Sequence, residues 1–89
     1  MENLNNNRKM AIDATGKEII IGQKYGYSKQ SNGITNVIIG TACKINDQKV
    51  TLENIQEKTY LYIDVNNEKI SYPKNKRSIF SLQIFHIND

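Results

Sequence analysis

The stretch Asp13-Ala-Thr-Gly-Lys-Glu-Ile-Ile-Ile-Gly-Gln-Lys-Tyr-Gly-Tyr27, followed by Val37-Ile-Ile-Gly-Thr-Ala-Cys-Lys-Ile45 and Lys49-Val-Thr-Leu52, decides the fold class. Turn, extended segment, glycine and extended segment recur there at the spacing of a very small all-β barrel. Along 37–45, Val37, Ile39, Thr41, Cys43 and Ile45 share one face, and Ile38, Gly40, Ala42 and Lys44 share the other. Period-two alternation rich in β-branched residues reads as a half-buried strand. Gly40 removes a side chain where such a strand bends or a neighbour approaches closely. Asn46-Asp47-Gln48 turns the chain into Lys49–Leu52, a hairpin that buries Val50 and Leu52.

Working outward, Asp13-Ala-Thr-Gly16 predicts a β-turn in which the aspartate accepts from the backbone two residues on. Glu18 to Ile21 reads as extended, Gly22-Gln23 as a break, and Lys24 to Tyr27 as extended again. Ser28 to Gly33 reads as a polar loop free to swing. Downstream, Glu53 to Lys58 has some helical character, enough for a turn at most. Tyr60 to Val65 alternates, with Leu61, Ile63 and Val65 opposite Tyr60, Tyr62 and Asp64. Asn66-Asn67 predicts a tight turn into Glu68–Tyr72, and Pro73 to Arg77 an exposed basic loop. Ser78 to Ile87 fits either a helical face (Phe80, Ile84, Ile87) or a strand (Phe80, Leu82, Ile84, His86). The all-β context selects a strand with one 3₁₀ turn, covering the open side of the barrel or pairing with the first strand.

Length and composition set bounds. The 89 residues make one small domain, 11–89, behind a polar tail, 1–10, expected to be disordered. The single cysteine, Cys43, rules out an internal disulfide and a multi-cysteine zinc site, and its strand position predicts a buried, inert thiol. No apolar run exceeds three residues, so neither a signal peptide nor a membrane span is expected, and a free thiol suits a reducing cytoplasm. Isoleucine, asparagine and lysine supply 36 of the 89 residues. Their codons are AT-rich, which suits a low-GC bacterium or its phage.

The groups that do chemistry are sparse. His86 is the one histidine and lies in the apolar terminal segment. The nine acidic residues are scattered without a close pair or a calcium-loop spacing. Gly16, Gly22 and Gly26 serve turns rather than a phosphate loop. No enzyme activity, metal or cofactor is expected.

Binding has three candidate surfaces. Lys24, Tyr25, Tyr27 and Lys29 alternate cations with aromatics, a pattern suited to stacking on single-stranded nucleic acid while lysines meet phosphates. The bland alternative puts one tyrosine in the core. Lys74, Lys76 and Arg77 place three cations in four residues, whose repulsion an anionic partner relieves. Tyr60 and Tyr62 form an aromatic pair for a protein partner or a cover for a thin sheet. The net charge of +3 suits an anionic partner without demanding one.

Gly16-Lys-Glu-Ile19, Ile21-Gly-Gln-Lys-Tyr25, Ile39-Gly-Thr-Ala-Cys-Lys-Ile45 and Lys49-Val-Thr-Leu52 together resemble SH3-like small barrels of the KOW-like kind. The same pattern is similar to short phage-encoded proteins that end in a short apolar strand, here Lys76 to Ile87. Ala42-Cys43 departs from the valine usual in such barrels, and the Tyr60–Tyr72 hairpin is longer than a minimal unit needs. The resemblance implies a strongly bent antiparallel barrel of five to six strands. It implies a non-enzymatic binding module for nucleic acid or a nucleic-acid-handling complex. The alternative is a protein-targeted inhibitor or adaptor that occludes a host enzyme or defence factor through Tyr60, Tyr62 and an exposed sheet edge, with a homodimer as one arrangement.

Overall fold

The computed structural model describes residues 11–61 and 64–88. They form an all-β antiparallel sheet with strands β1 (Lys24–Ser31), β2 (Ile34–Asn46), β3 (Lys49–Leu61), β4 (Asp64–Ser71), β5 (Arg77–Phe80) and β6 (Phe85–His86). A 3₁₀ turn, Ser81–Gln83, separates β5 from β6, as the terminal segment predicted. The strand order is β4-β3-β2-β1-β6, with β5 pairing the first half of β3 and β4 the second half. The terminal segment thus changes partner at the 3₁₀ turn, from β3 to β1. The six-stranded sheet does not close. No helix of the described residues is long and apolar enough to cross a membrane.

Two irregularities interrupt the β2–β3 ladder, and bulges of this kind bend the strands that carry them. Thr41 pairs with Glu53 but Ile39 with Gln56, so β3 carries an extra residue opposite Gly40, where Asn54 takes a positive φ of 53°. A Cβ on Gly40 would lie 2.7 Å from Ile55 Cδ1 and 2.9 Å from Leu52 Cβ, so only glycine lets the strands meet there. The second bulge falls at Cys43, between the pairs Ala42–Leu52 and Lys44–Thr51. Ala42 faces the core, so strand alternation already turns the Cys43 thiol to the other face; Cys43 is half-buried rather than buried, and its thiol donates to the Thr51 carbonyl at 3.4 Å.

The core gathers at this bend: Ala11, Ile19, Tyr25, Ile38, Ala42, Val50, Leu52, Ile55 and Ile84. The predicted turn at Asp13 forms, with the Asp13 carboxylate accepting from the amides of Thr15 (2.8 Å) and Lys17 (3.1 Å) and from the Thr15 hydroxyl (2.6 Å). The Ala14 amide donates to the Ile84 carbonyl at 2.8 Å, which seats this loop over the core. The segment Glu18–Ile21, expected to be extended, joins no strand of the sheet. Glu18 makes only an isolated bridge to Ile12, and the chain turns at Ile21-Gly22.

Four further expectations are corrected. Ser28–Ser31 is not a free loop but the end of β1, paired with Ile34–Val37 through a two-residue turn. Asn32 and Gly33 hold positive φ of 51° and 80°, the two left-handed positions of a tight hairpin. Glu53–Lys58 is strand, because the long β2 offers it a continuous ladder that a single helical turn cannot match. Leu61 ends β3 and pairs with Asp64, the first residue of β4, so the expected Tyr60–Val65 strand is divided between two strands. Asn66 and Asn67 lie within β4, where four β4 steps span one of β3 between the pairs Leu61–Asp64 and Tyr60–Glu68. Their turn propensity appears as an irregularity instead of the reversal. Ile63 and the expected tail at 1–10 lie outside the described residues.

Beyond the bend, the far parts of β1 to β4 form a single-layer arm. Ile55 is the last buried residue on β3, and the six residues from there to Leu61 extend about 20 Å. The radius of gyration, 15.0 Å, exceeds the ~12 Å of a compact chain of this length.

Candidate binding surfaces and an open seam

Tyr25 belongs to the core. It is 2% exposed, its hydroxyl accepts the Ile20 amide at 2.9 Å, and its ring leans on His86 with centroids 5.3 Å apart. It therefore offers no face to a base, and the cation–aromatic alternation reduces to Tyr27 with Lys24 and Lys29. Lys24 is exposed, but strand alternation sends it to the face opposite Tyr27 and Lys29.

Register fixes what shares the Tyr27 face of the arm. One row across the four strands reads Lys29, Asn36, Thr59 and Lys69, and the row beside it reads Tyr27, Ile38, Glu57 and Ser71. The Thr59 hydroxyl donates to Asn36 at 3.0 Å, leaving lysines at both ends of the first row.

Arg77 is not on the exposed loop with Lys74 and Lys76. It opens β5, is half-buried, and donates to Glu57 at 3.1 Å. Burial works to lower its pKa, but hydrogen bonds to Tyr27 and Glu57 and the Glu57 charge prevail and raise it. Lys74 and Lys76 stay exposed; Lys76 faces Glu53 at 3.9 Å, a pair too open to contribute much. Tyr60 is half-buried on the opposite face, where its hydroxyl donates to Glu68 at 2.6 Å; Tyr62 lies outside the described residues.

The fold thus joins parts of two sequence-predicted surfaces. Tyr27 and Lys29 from β1 meet Arg77 from β5 in a groove of about 360 Å³, floored and flanked by Ser28, Ser78, Ile79 and Gln83. This groove is the seam where the bent sheet fails to close. Lys74 and Lys76 lie elsewhere, with Lys74 lining a hollow beside Ile55 and Tyr72.

Two surfaces carried no sequence signal. Ile20, Tyr25, Phe85 and His86 line a hollow of about 670 Å³, with Ile20 and Phe85 both more than half exposed. Phe80 and Leu82, equally exposed, flank the 3₁₀ turn. Their apolar character was legible, but not that packing would leave them outside. No family model, curated protein or solved structure matches this chain.

Proposed function

We propose that the protein is a non-enzymatic binding module that docks on another protein, as an adaptor or an inhibitor by occlusion. The observation that carries this reading is the incomplete sheet: it has an open seam, an uncovered arm and large apolar side chains displayed around the 3₁₀ turn and β6. Unpaired strand edges and exposed apolar groups are costly for an isolated domain and are satisfied by a partner protein. The burial of Tyr25 removes one of the two tyrosines from base stacking and weakens the nucleic-acid case. The bent sheet with its 3₁₀ connection supports an SH3-like barrel left open at one seam, and the AT-rich composition supports a phage or mobile-element origin.

Nucleic acid is the second reading, favoured by the Lys29–Asn36–Thr59–Lys69 row with a lysine at each end. Titration of mixed-sequence single-stranded DNA and RNA at low and at physiological salt separates the two. The protein-docking reading expects no saturable binding. Tight binding that weakens steeply with salt and with Lys29→Ala and Lys69→Ala overturns it in favour of nucleic acid.

A further inference from the structure

We propose that the seam between β1 and β5 receives a short extended segment of a protein partner. The segment adds to β1 as a further strand, with an acidic side chain held between Lys29 and Arg77. This rests on the protein-docking reading above and names where and by what chemistry the docking occurs.

The backbone supplies the first argument. The Ile87 amide donates to the Lys24 carbonyl at 2.9 Å, and Tyr25 and Gly26 pair with His86 and Phe85. In an antiparallel ladder a residue sends its N–H and C=O to the same neighbour, and the next residue sends both to the other side. Lys24, Gly26, Ser28 and Gln30 therefore aim at the β6 side, while Tyr27 and Lys29 aim at β2. Strand β6 starts at Phe85, opposite Gly26, so no strand of the described residues reaches the backbone groups of Ser28 and Gln30.

The same reasoning applies across the seam. The Ser81 amide donates to the Gln48 carbonyl at 2.7 Å, in register with the β3–β5 pairing. Arg77 and Ile79 therefore bond to β3, and Ser78 and Phe80 turn their backbone groups away from it. Close side-chain approach at the non-bonded pair agrees: the Thr51 and Ser78 hydroxyls are 3.1 Å apart. Ser28 and Ser78 both line the groove. Two opposed edges with outward N–H and C=O groups are chemically matched to another extended backbone, the mode of strand addition.

Side chains then define the segment. Tyr27, Lys29, Arg77 and Ile79 line the groove from the two strands. An added strand places alternate side chains over this floor, apolar against Tyr27 and Ile79 and acidic toward the cations. Lys29 has no ionic partner among the described residues, and Arg77 has one carboxylate for a guanidinium able to serve more. Gln83 of the 3₁₀ turn stops one end of the groove, so the segment is short and lies opposite Ser28–Ser31, antiparallel to β1 as β6 is.

The test is selection from a display library of random octapeptides against the full chain, followed by amide exchange with the selected peptide bound. The expected peptides carry an acidic residue two positions from an apolar one and slow exchange at Ser28 and Ser78. Ser28→Pro removes an outward amide without touching the β2 ladder, and weakens binding about tenfold or more while the amide spectrum stays folded. Lys29→Glu, a variant with no backbone consequence, weakens acidic peptides and is rescued when the acid in the peptide becomes lysine. Peptides that protect the Ile20–Phe85 hollow instead overturn the seam assignment but leave protein docking standing. Failure to select any peptide, together with salt-sensitive oligonucleotide binding, overturns both.

Discussion

The two halves of the β2–β3 hairpin obey the same pairing rules and differ in what lies over them. Near the bend, Ile38, Ala42, Val50, Leu52 and Ile55 are sealed by Ala11, Ile19, Tyr25 and Ile84 from other parts of the chain. In the arm, the facing pair Ile34 and Leu61 continues the hairpin, but no second layer of the described residues covers it and both are exposed. The backbone ladder builds strand in both halves. Burial is supplied only where chain from outside the hairpin returns to cover it.

Leu52 and Leu61 test this difference most directly, since they are the same residue on the same strand. Leu52 is 0% exposed and Leu61 38%. Leu52→Ala is expected to destabilise by about 3 kcal/mol in urea unfolding, and Leu61→Ala by less than about 1 kcal/mol. Equal losses would mean that the arm is covered in solution, and the contrast drawn above would fail.

Gly40→Ala sharpens the position of the boundary. Its new Cβ meets Leu52 and Ile55 inside 3.0 Å, and the expected cost is about 2 kcal/mol. A neutral result would show that the two halves are not hinged there.

Asp13 tests the lid over the core. Asp13→Ala orphans three donors and is expected to cost about 2 kcal/mol. Burial alone would raise the Asp13 pKa, but the Thr15 hydroxyl, the Thr15 and Lys17 amides and the Lys17 charge hold it below 3.8. A carboxyl lowered on folding stabilises fully above its unfolded value, and that stability is lost as pH falls through the lowered one. The acid limb of the stability profile below 3.8 should therefore flatten in Asp13→Asn.

The smallest expected effect is in the arm. The hydrogen bond to Glu68 raises the Tyr60 pKa most, followed by desolvation of the hydroxyl and then the Glu68 charge. Glu68→Gln should return the Tyr60 hydroxyl toward 10.0 in ultraviolet titration without moving the unfolding midpoint. A lowered midpoint would show the arm's surface contacts to be structural.

Much of this architecture is written locally. The Asp13 turn, the Val37–Ile45 strand, the Asp47 hairpin and the 3₁₀ break after Phe80 all follow from short-range chemistry. Asn32-Gly33 was equally legible, since Asn-Gly is the strongest short hairpin signal, but the surrounding polar residues disguised it as a loop. Glu53–Lys58 was not legible, because its strand state depends on a partner that reaches across the bend. Of the candidate sites, the cations were visible, yet Tyr25 and Arg77 were assigned by packing. One fills the core, and the other is drawn to Glu57, twenty residues away.

The stretch from Asp13 to Leu52 by itself determined an all-β chain, its turns and the glycine at which it bends, because those depend on φ, on period-two alternation and on neighbours a few residues apart. Tertiary structure alone decided that the sheet stays open, which half is buried and that Tyr27, Lys29 and Arg77 line one seam. Those outcomes depend on where β5 and β6 change partners, a long-range choice between competing ladders that no local pattern specifies.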